Sequence, residues 1–359
     1  MKKKKVLITG ISGYIGQHCA IELIKNGYSV KGSVRNLKKI DEVTNGLNKQ
    51  IQTDDYLEFC QLDLLVDNGW EEAMQDCDFV LHVASPYITY QPKDENELIK
   101  PAVEGTERVL KFAKQSAIRR VVLTSSIVAM LGDANASIDI NTNSWTNINA
   151  KNVSAYVKSK TMAEKFAWDF VENQDKNHPL ELVVINPGPV FGPSISGNLT
   201  GASMSMYKDL ITGKMPMLPQ SSINMSDVRD IAKIHVLALE NSKAVGKRFV
   251  VSTEKPYSFQ EMAQILKSEG YSKVSTKVAP NFFLRFMSIF SNDIKGMLPF
   301  IGYTYSADVS ETMKIFNWKP ISLRKTGAFG KAIVEAKTDH LPFKLTSRIT
   351  SLSVTYNFS

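Results

Sequence analysis

Val6-Leu7-Ile8-Thr9-Gly10-Ile11-Ser12-Gly13-Tyr14-Ile15-Gly16 is the stretch on which the fold turns. Its first three residues are a short, fully apolar run, the pattern of a strand buried on both faces. Glycines then recur at 10, 13 and 16, and a helical pattern follows over residues 15–26. In such a turn Gly10 permits the tight reversal, Gly13 lets backbone amides approach a pyrophosphate, and Gly16 allows close packing of helix on strand. The helix N-terminus, with Tyr14 and Ile15, then faces the phosphate charge. A glycine triplet alone could be a packing turn; set between a first strand and a helix, it predicts dinucleotide binding.

Outward from that turn, apolar runs rich in Val, Ile and Leu recur at 5–9, 29–34, 57–62, 79–83, 120–125 and 182–186. Helical patterns separate most of them, at 15–26, 70–75, 101–116 and 155–173. Continuous apolar strands alternating with helices predict a doubly wound parallel α/β sheet, the Rossmann fold. After Pro187 the pattern changes. Residues 188–225 are rich in Gly, Ser, Met and Pro around one helix at 203–212. A strand end feeds a helix over 226–240, a further strand lies at 248–252, and 258–269 is helical. The expected organisation is a cofactor-binding domain of residues 1–190 plus 226–254. A smaller, discontinuous C-terminal substrate-binding unit takes 191–225 plus 255–337. Residues 338–359 alternate weakly and read equally as a frayed tail or an added edge strand.

Hydrophobic residues make up 43% of the 359 and charged residues 22%, which excludes disordered and fibrous classes. The net charge of +7 is unevenly placed: residues 1–50 hold ten basic and three acidic side chains, residues 51–100 two and twelve. A nucleic-acid binder needs a continuous basic face, so no nucleic-acid partner is expected. Cys19, Cys60 and Cys77 have no metal-ligand spacing, and His82 and His235 have no cluster about them, so no metal is expected. The basic start lacks the apolar run of a secretory signal. The segment 281–303 is interrupted by Arg285, Asp293 and Lys295 and reads as an amphipathic helical pair. A cytoplasmic protein without a membrane segment is the expectation.

The end of the second strand distinguishes cofactors. NAD sites place an acid about twenty residues past the turn, on the ribose 2′-hydroxyl. Here the chain reads Gly32-Ser33-Val34-Arg35-Asn36, followed by Lys38 and Lys39. A guanidinium at that point suits the 2′-phosphate of NADP, so NADP(H) is the cofactor expected.

Tyr156-Val157-Lys158-Ser159-Lys160 opens a helix, and Tyr156 and Lys160, four apart, share one face. A phenol is a poor acid or base at neutral pH, and a neighbouring ammonium stabilises its phenolate. Reduction of a carbonyl needs this arrangement, since hydride reaches carbon while a proton reaches the developing alkoxide. Val121-Val122-Leu123-Thr124-Ser125-Ser126 places hydroxyls at the carboxyl edge of the sheet, where ligands bind in such folds. Ser126 is the candidate to hydrogen-bond the substrate oxygen and Ser125 the neighbouring one; strand alternation disfavours both facing the site.

Together these residues resemble an extended short-chain dehydrogenase/reductase: Thr9 to Gly16 match its glycine turn, Thr124-Ser125-Ser126 its serine strand, and Tyr156 with Lys160 its YxxxK pair. The chain is similar, more narrowly, to the branch of dihydroflavonol reductases, cinnamoyl-CoA reductases and yeast-type aldehyde (methylglyoxal) reductases. The matching stretches are Val34-Arg35, Leu81-His82-Val83-Ala84-Ser85-Pro86 and Asn186-Pro187-Gly188-Pro189-Val190-Phe191-Gly192-Pro193. Asp227-Val228-Arg229-Asp230 and Asn317-Trp318-Lys319-Pro320 match as well. The resemblance implies that Ser126 orients the carbonyl, Tyr156 donates the proton, and Lys160 binds the nicotinamide ribose and lowers the Tyr156 pKa. It implies further that Tyr14 and Ile15 give amides to the pyrophosphate, Asp63 and Leu64 flank adenine, Ala84 lines the cofactor cleft, and Pro187 and Val190 border the nicotinamide. The chain departs from the branch where dihydroflavonol reductases carry a substrate-binding Asn, here Ile127-Val128-Ala129-Met130-Leu131, and it lacks the cinnamoyl-CoA reductase motif before Tyr156. The substrate implied is a small-molecule carbonyl compound, and the chain would be a monomer or a homodimer. The alternatives are an NAD-dependent nucleotide-sugar epimerase/dehydratase, a 3β-hydroxysteroid dehydrogenase, and a non-catalytic NADP-sensing interaction protein.

Overall fold

The computed structural model describes residues 3–86, 92, 94–133, 137–151, 153–197, 201–290 and 301–327. The alternating tail at 338–359 and part of the expected helical pair at 281–303 lie outside them. Seven parallel strands form the main sheet: β1 (Lys5–Thr9), β2 (Ser29–Val34), β3 (Leu57–Gln61), β4 (Phe79–His82), β5 (Arg120–Thr124), β6 (Glu181–Pro187) and β7 (Lys247–Val251). Their order is β3-β2-β1-β4-β5-β6-β7. The chain builds outward from β1 to one edge and then returns to build the other way from β4. The reversal opens a crevice between the carboxyl ends of β1 and β4, the place where such sheets bind ligands.

Alternation along each strand sorts side chains onto two apolar layers. Val6, Ile8, Val122, Val183 and Ile185 face one layer with α1 (Tyr14–Lys25), α2 (Ile40–Asn48) and the helix Val228–Ala238. Leu7, Val80, Val121, Leu123, Leu182 and Val184 face the other, with α3 (Trp70–Met74), α4 (Asn96–Gln115) and α5 (Ala155–Glu172). Both faces are covered, which is why the central strands β1, β4, β5 and β6 read as nearly unbroken apolar runs, while the edge strand β3 does not. Helix α2 was not foreseen from the sequence. It begins directly after a single 3-10 turn, Leu37–Lys39, with Asp41 and Glu42 in its first turn.

A third cluster joins the helix Ala202–Ile211 to the helix Phe259–Ser268 through Met204, Tyr207, Leu210, Phe259, Met262 and Leu266. Met204, in the methionine-bearing stretch after Pro187, is core at 2% exposure. A second, four-stranded sheet orders Tyr257–Ser258, Ser222–Ile223, Thr304–Ala307 and Ile138–Ile140. The Asp227 to Asp230 and Asn317 to Pro320 motifs meet here as a clasp. Asp230 accepts Trp318 Nε1 at 2.9 Å and the Ile321 amide at 2.7 Å, while Asp227 accepts Thr326 Oγ1 at 2.8 Å.

Where β1 enters α1, backbone approach sets the geometry. Gly10 has φ +73°, and a β-carbon on Gly16 would stand 2.3 Å from the Gly10 carbonyl oxygen and 2.9 Å from Ile11 Cα. The obstacle is backbone, so the helix would have to move. Gly16→Ala is therefore expected to destabilise the protein by about 1–3 kcal/mol, the cost of overpacking. Urea denaturation compared with the parent chain measures it, and an unchanged midpoint would contradict this packing.

Candidate active site

The crevice is built first from the ends of β1 and β4. Thr9 Oγ1 accepts the amides of Val83 and Ala84, both at 3.1 Å, and lies 2.8 Å from His82 Nδ1. With two donors already on that oxygen, its proton goes to Nδ1, which makes His82 a neutral ring carrying its proton on Nε2. Ala84 is held against the glycine turn: a β-carbon on Gly10 would sit 3.0 Å from Ala84 Cα. Helix α1 starts at Gly13 with no side-chain cap and no acid in its first turn. Its N-terminal amides and the helix dipole are thus open to an anion, in a cradle that a β-carbon at Gly16 would disrupt. The residues present fit a dinucleotide pyrophosphate on this observation.

At the end of β2, Arg35 is exposed, and its carbonyl accepts Gln61 Nε2 at 3.1 Å. Its guanidinium forms no ion pair among the described residues. Lys39 differs: it leads into α2 and pairs with Glu42 at 2.6 Å. Asp63 is half-buried, its carboxylate turned to the Leu65 amide at 2.9 Å, and Leu64 packs 3.1 Å from where a Gly105 β-carbon would lie. Pro187 closes β6, and the Val190 amide donates to Ser203 Oγ at 3.0 Å.

Ser154 caps α5 through the Val157 amide, which places Tyr156 and Lys160 in its first two turns, both half-buried. Lys160 faces a crevice between α4, α5 and the ends of β4 and β5, shared with His82, Ala84, Thr106, Ser125 and Glu164. Burial pulls the Lys160 pKa down to about 8, and the Glu164 charge one turn away opposes that fall. The ammonium is thus poised near neutrality, where a small electrostatic change alters its occupancy.

The two serines, just past the end of β5, have different surroundings. Ser125 lines the crevice, but its hydroxyl donates to Glu164 Oε2 and is 5% exposed. Ser126 is more open and caps the turn Ile127–Met130. Its hydroxyl accepts the Val128 amide at 3.3 Å and donates to the Pro187 carbonyl at 3.4 Å, both at the weak end for such bonds. A substrate oxygen can displace bonds of that length far more readily than it can displace Glu164. In the stretch 127–131, which lacks the Asn of dihydroflavonol reductases, Ile127, Ala129, Met130 and Leu131 are at most 1% exposed and Val128 is 9% exposed. Their methyl groups pack in the core behind Ser126 and do not line an open pocket, because the turn folds them onto the sheet.

Glu164 and Arg248 escaped the sequence reading, although a signal existed: Glu164 lies on the buried helical stripe of Ala163 and Ala167, and Arg248 opens the apolar run Phe249-Val250-Val251. Among the described residues no group of three or more His, Cys, Asp or Glu could hold a metal, and no helix is long and apolar enough to cross a membrane.

Comparison with known proteins gives the same picture from outside. The model of the NAD dependent epimerase/dehydratase family matches residues 6–252. The NADPH-dependent methylglyoxal reductase of Saccharomyces cerevisiae is 32% identical over 282 residues, 74% of this chain and 82% of that protein. A cinnamoyl-CoA reductase of Medicago truncatula is 34% identical over 273 residues, 73% and 79% of the two chains. The crystal structure of the yeast methylglyoxal/isovaleraldehyde reductase complexed with NADPH superposes with a TM-score of 0.72 at 26% identity, covering 93% of this chain and 99% of that one.

The buried histidines make a pH prediction. Burial lowers His82 to about 3, His18 to about 4 and His235 to about 4. His235 is fixed as the Nδ1 tautomer, donating to the Ile231 carbonyl at 2.8 Å with Thr124 Oγ1 2.7 Å from Nε2. The unfolded chain takes up these protons near pH 6.5 and the folded chain does not. Stability is therefore undiminished by them above about pH 6.5 and declines as pH falls towards 4, by up to about 1.4 kcal/mol per pH unit per histidine. Chemical denaturation from pH 7 to 4.5 should show a shallower decline in His235→Gln than in the parent; equal slopes would contradict the assignment.

Proposed function

The chain belongs to the NAD dependent epimerase/dehydratase family, and we propose that within it the protein is an NADPH-dependent carbonyl reductase with Tyr156 as proton donor. The observation that carries this reading is the placement of Lys160, half-buried in the crevice between α4, α5 and the ends of β4 and β5, one helical turn beyond Tyr156. The named activities of the relatives support the chemistry.

NADPH would lie across the glycine turn. Its pyrophosphate would meet the amides of Tyr14 and Ile15 and the open end of α1, with Gly10, Gly13 and Gly16 leaving room. Adenine would sit against Asp63 and Leu64, and Arg35 would take the 2′-phosphate, with Lys39 added if it exchanges Glu42 for that phosphate. Ala84, Pro187 and Val190 would border the nicotinamide end. When bound, the cofactor supplies hydride to the carbonyl carbon. Ser126 Oγ donates a hydrogen bond to the carbonyl oxygen, which aligns and polarises it. The Tyr156 hydroxyl transfers its proton to the oxygen as negative charge develops there, and solvent later restores that proton. The Lys160 ammonium stabilises the phenolate left behind and holds the ribose. The carbonyl carbon thus gains a hydride and its oxygen the Tyr156 proton, which gives an alcohol. The substrate is an aldehyde or ketone.

Two outcomes check this. Tyr156→Phe should lower kcat for NADPH oxidation with a panel of aldehydes and diketones by about 10²–10⁴-fold, while the NADPH Kd from fluorescence titration stays within about threefold. Retained turnover would sink the mechanism. Arg35→Asp should move the NADPH-to-NADH ratio of kcat/KM towards NADH by about tenfold or more. Tightly retained NAD on the purified protein, with no carbonyl turnover, would instead favour an epimerase or dehydratase.

A further inference from the structure

Glu164 is a buried charge that neither the glycine turn nor the Tyr–Lys pair accounts for. It lies one turn beyond Lys160 on α5 and is 1% exposed. Its carboxylate takes four donors. Oε2 accepts Ser125 Oγ and, at 2.8 Å, Asn186 Nδ2; Oε1 accepts Arg248 Nε at 2.6 Å and Trp168 Nε1 at 3.3 Å. Arg248 is itself held in place. Its Nη1 donates to the carbonyls of Thr142 at 3.1 Å and Ser144 at 2.7 Å, and its guanidinium lies 3.8 Å from the Trp145 ring centroid. Asn186 Nδ2 also donates to the carbonyl oxygen of Ser126 at 3.2 Å. Three of the four donors come from the neighbourhood of β5, β6 and β7. One carboxylate therefore ties the helix that carries Tyr156 and Lys160 to the strand ends that carry Ser126.

We propose that Glu164 is a positioning residue of the reductase site: anchored by Arg248, it sets α5 against β5 and β6 through Ser125 and Asn186, so that Lys160 and Ser126 address one substrate. The proposal rests on the carbonyl-reductase reading and adds residues that touch neither substrate nor cofactor. A carboxylate engaged by four donors cannot rotate without losing several of them, so it transmits position rigidly. Reacting groups misplaced by about 1 Å can cost about 10²-fold in rate, so small slack here would be felt in turnover.

The same carboxylate acts on Lys160 through space. The titratable and charged groups about that ammonium are Tyr156 and Glu164 on its own helix, the neutral His82 at the end of β4, and Arg248 behind Glu164 from β7; α4 offers only Ala102 and Thr106 to the crevice. Glu164 is the charge that opposes desolvation of the ammonium. Without it, Lys160 should lose its proton at lower pH, and with it the support for the Tyr156 phenolate.

The test uses Glu164→Gln, which keeps the shape and removes the charge, and Asn186→Leu, which keeps the branching and heavy-atom count and removes the bridge to Ser126. Full-length protein is compared for kcat, carbonyl KM, NADPH Kd by fluorescence and the pH dependence of kcat. Both variants should lose at least tenfold in kcat with KM and Kd within about threefold, and in Glu164→Gln the alkaline fall of kcat should move to lower pH. Wild-type kcat in either variant overturns the proposal, as does a fall in kcat matched by an equal weakening of NADPH binding with the alkaline limb unmoved. If Glu164→Gln does not fold, Asn186→Leu decides alone: lost kcat at unchanged Kd supports the proposal and unchanged kcat overturns it. Failure of the underlying reading shows differently, as a parent chain that reduces no carbonyl or a Tyr156→Phe variant that still does.

Discussion

A helix that starts within van der Waals reach of the strand feeding it leaves no space for a β-carbon at the crossing, and the rest of this architecture follows from that approach. With the Gly10 carbonyl lying where a Gly16 β-carbon would be, α1 packs directly on β1 and leaves its amides uncapped above the sheet. Thr9 then stitches the end of β1 to the chain leaving β4, through Val83 and Ala84. The reversal of strand order becomes a narrow crevice floored by backbone. A wider junction would need side chains to fill it and would present no ordered amides to an anion.

The carboxyl edge is organised by electrostatics of the opposite kind, charge removed from water and paired there. Glu164 and Arg248 form an ion pair whose side chains are nearly solvent-free, and breaking such a pair costs about 3–5 kcal/mol because the remaining charge stays buried. The arrangement is tolerable because four donors, from Ser125, Trp168, Asn186 and Arg248, converge on the carboxylate. Around it stand groups that burial keeps neutral, His82, given its tautomer by Thr9, and His235, given its tautomer by the Ile231 carbonyl. Lys160 sits between these regimes: desolvation favours loss of its proton and Glu164 favours retention. A pair poised in this way suits proton transfer better than a fully solvated lysine would, since its state responds to what is bound.

Much of the fold was legible because its strands are buried on both faces. The apolar runs around Val6, Val80, Val121 and Val183 have no polar alternation to confuse with an edge strand, and each has a helical pattern beside it. The short helix Ile40–Asn48 was less legible, as only Val43, Gly46 and Leu47 of it are buried and it follows a tight turn without punctuation. The second sheet could not be read locally. Its strands Ser222–Ile223 and Tyr257–Ser258 are two residues long and exist by pairing across distant parts of the chain. The pairing of Lys39 with Glu42, which leaves Arg35 as the freer cation, also depends on that unforeseen helix.

By itself the sequence determined the spacing-dependent features: the glycine turn, the seven-strand alternation, the basic end of β2, and Tyr156 and Lys160 on one helix face. These are set within about twenty residues of chain by backbone sterics and helical period, so no distant partner is needed to read them. Only the tertiary structure buried Ser125 against Glu164 while leaving Ser126 half-buried, packed the methyl groups of 127–131 into the core, and joined Asp227 and Asp230 to Thr326 and Trp318. It alone gave Lys160 a counter-charge whose own anchor, Arg248, lies 84 residues further along the chain. Burial and charge pairing are properties of the folded neighbourhood, and a linear order does not contain them until the sheet brings its strand ends together.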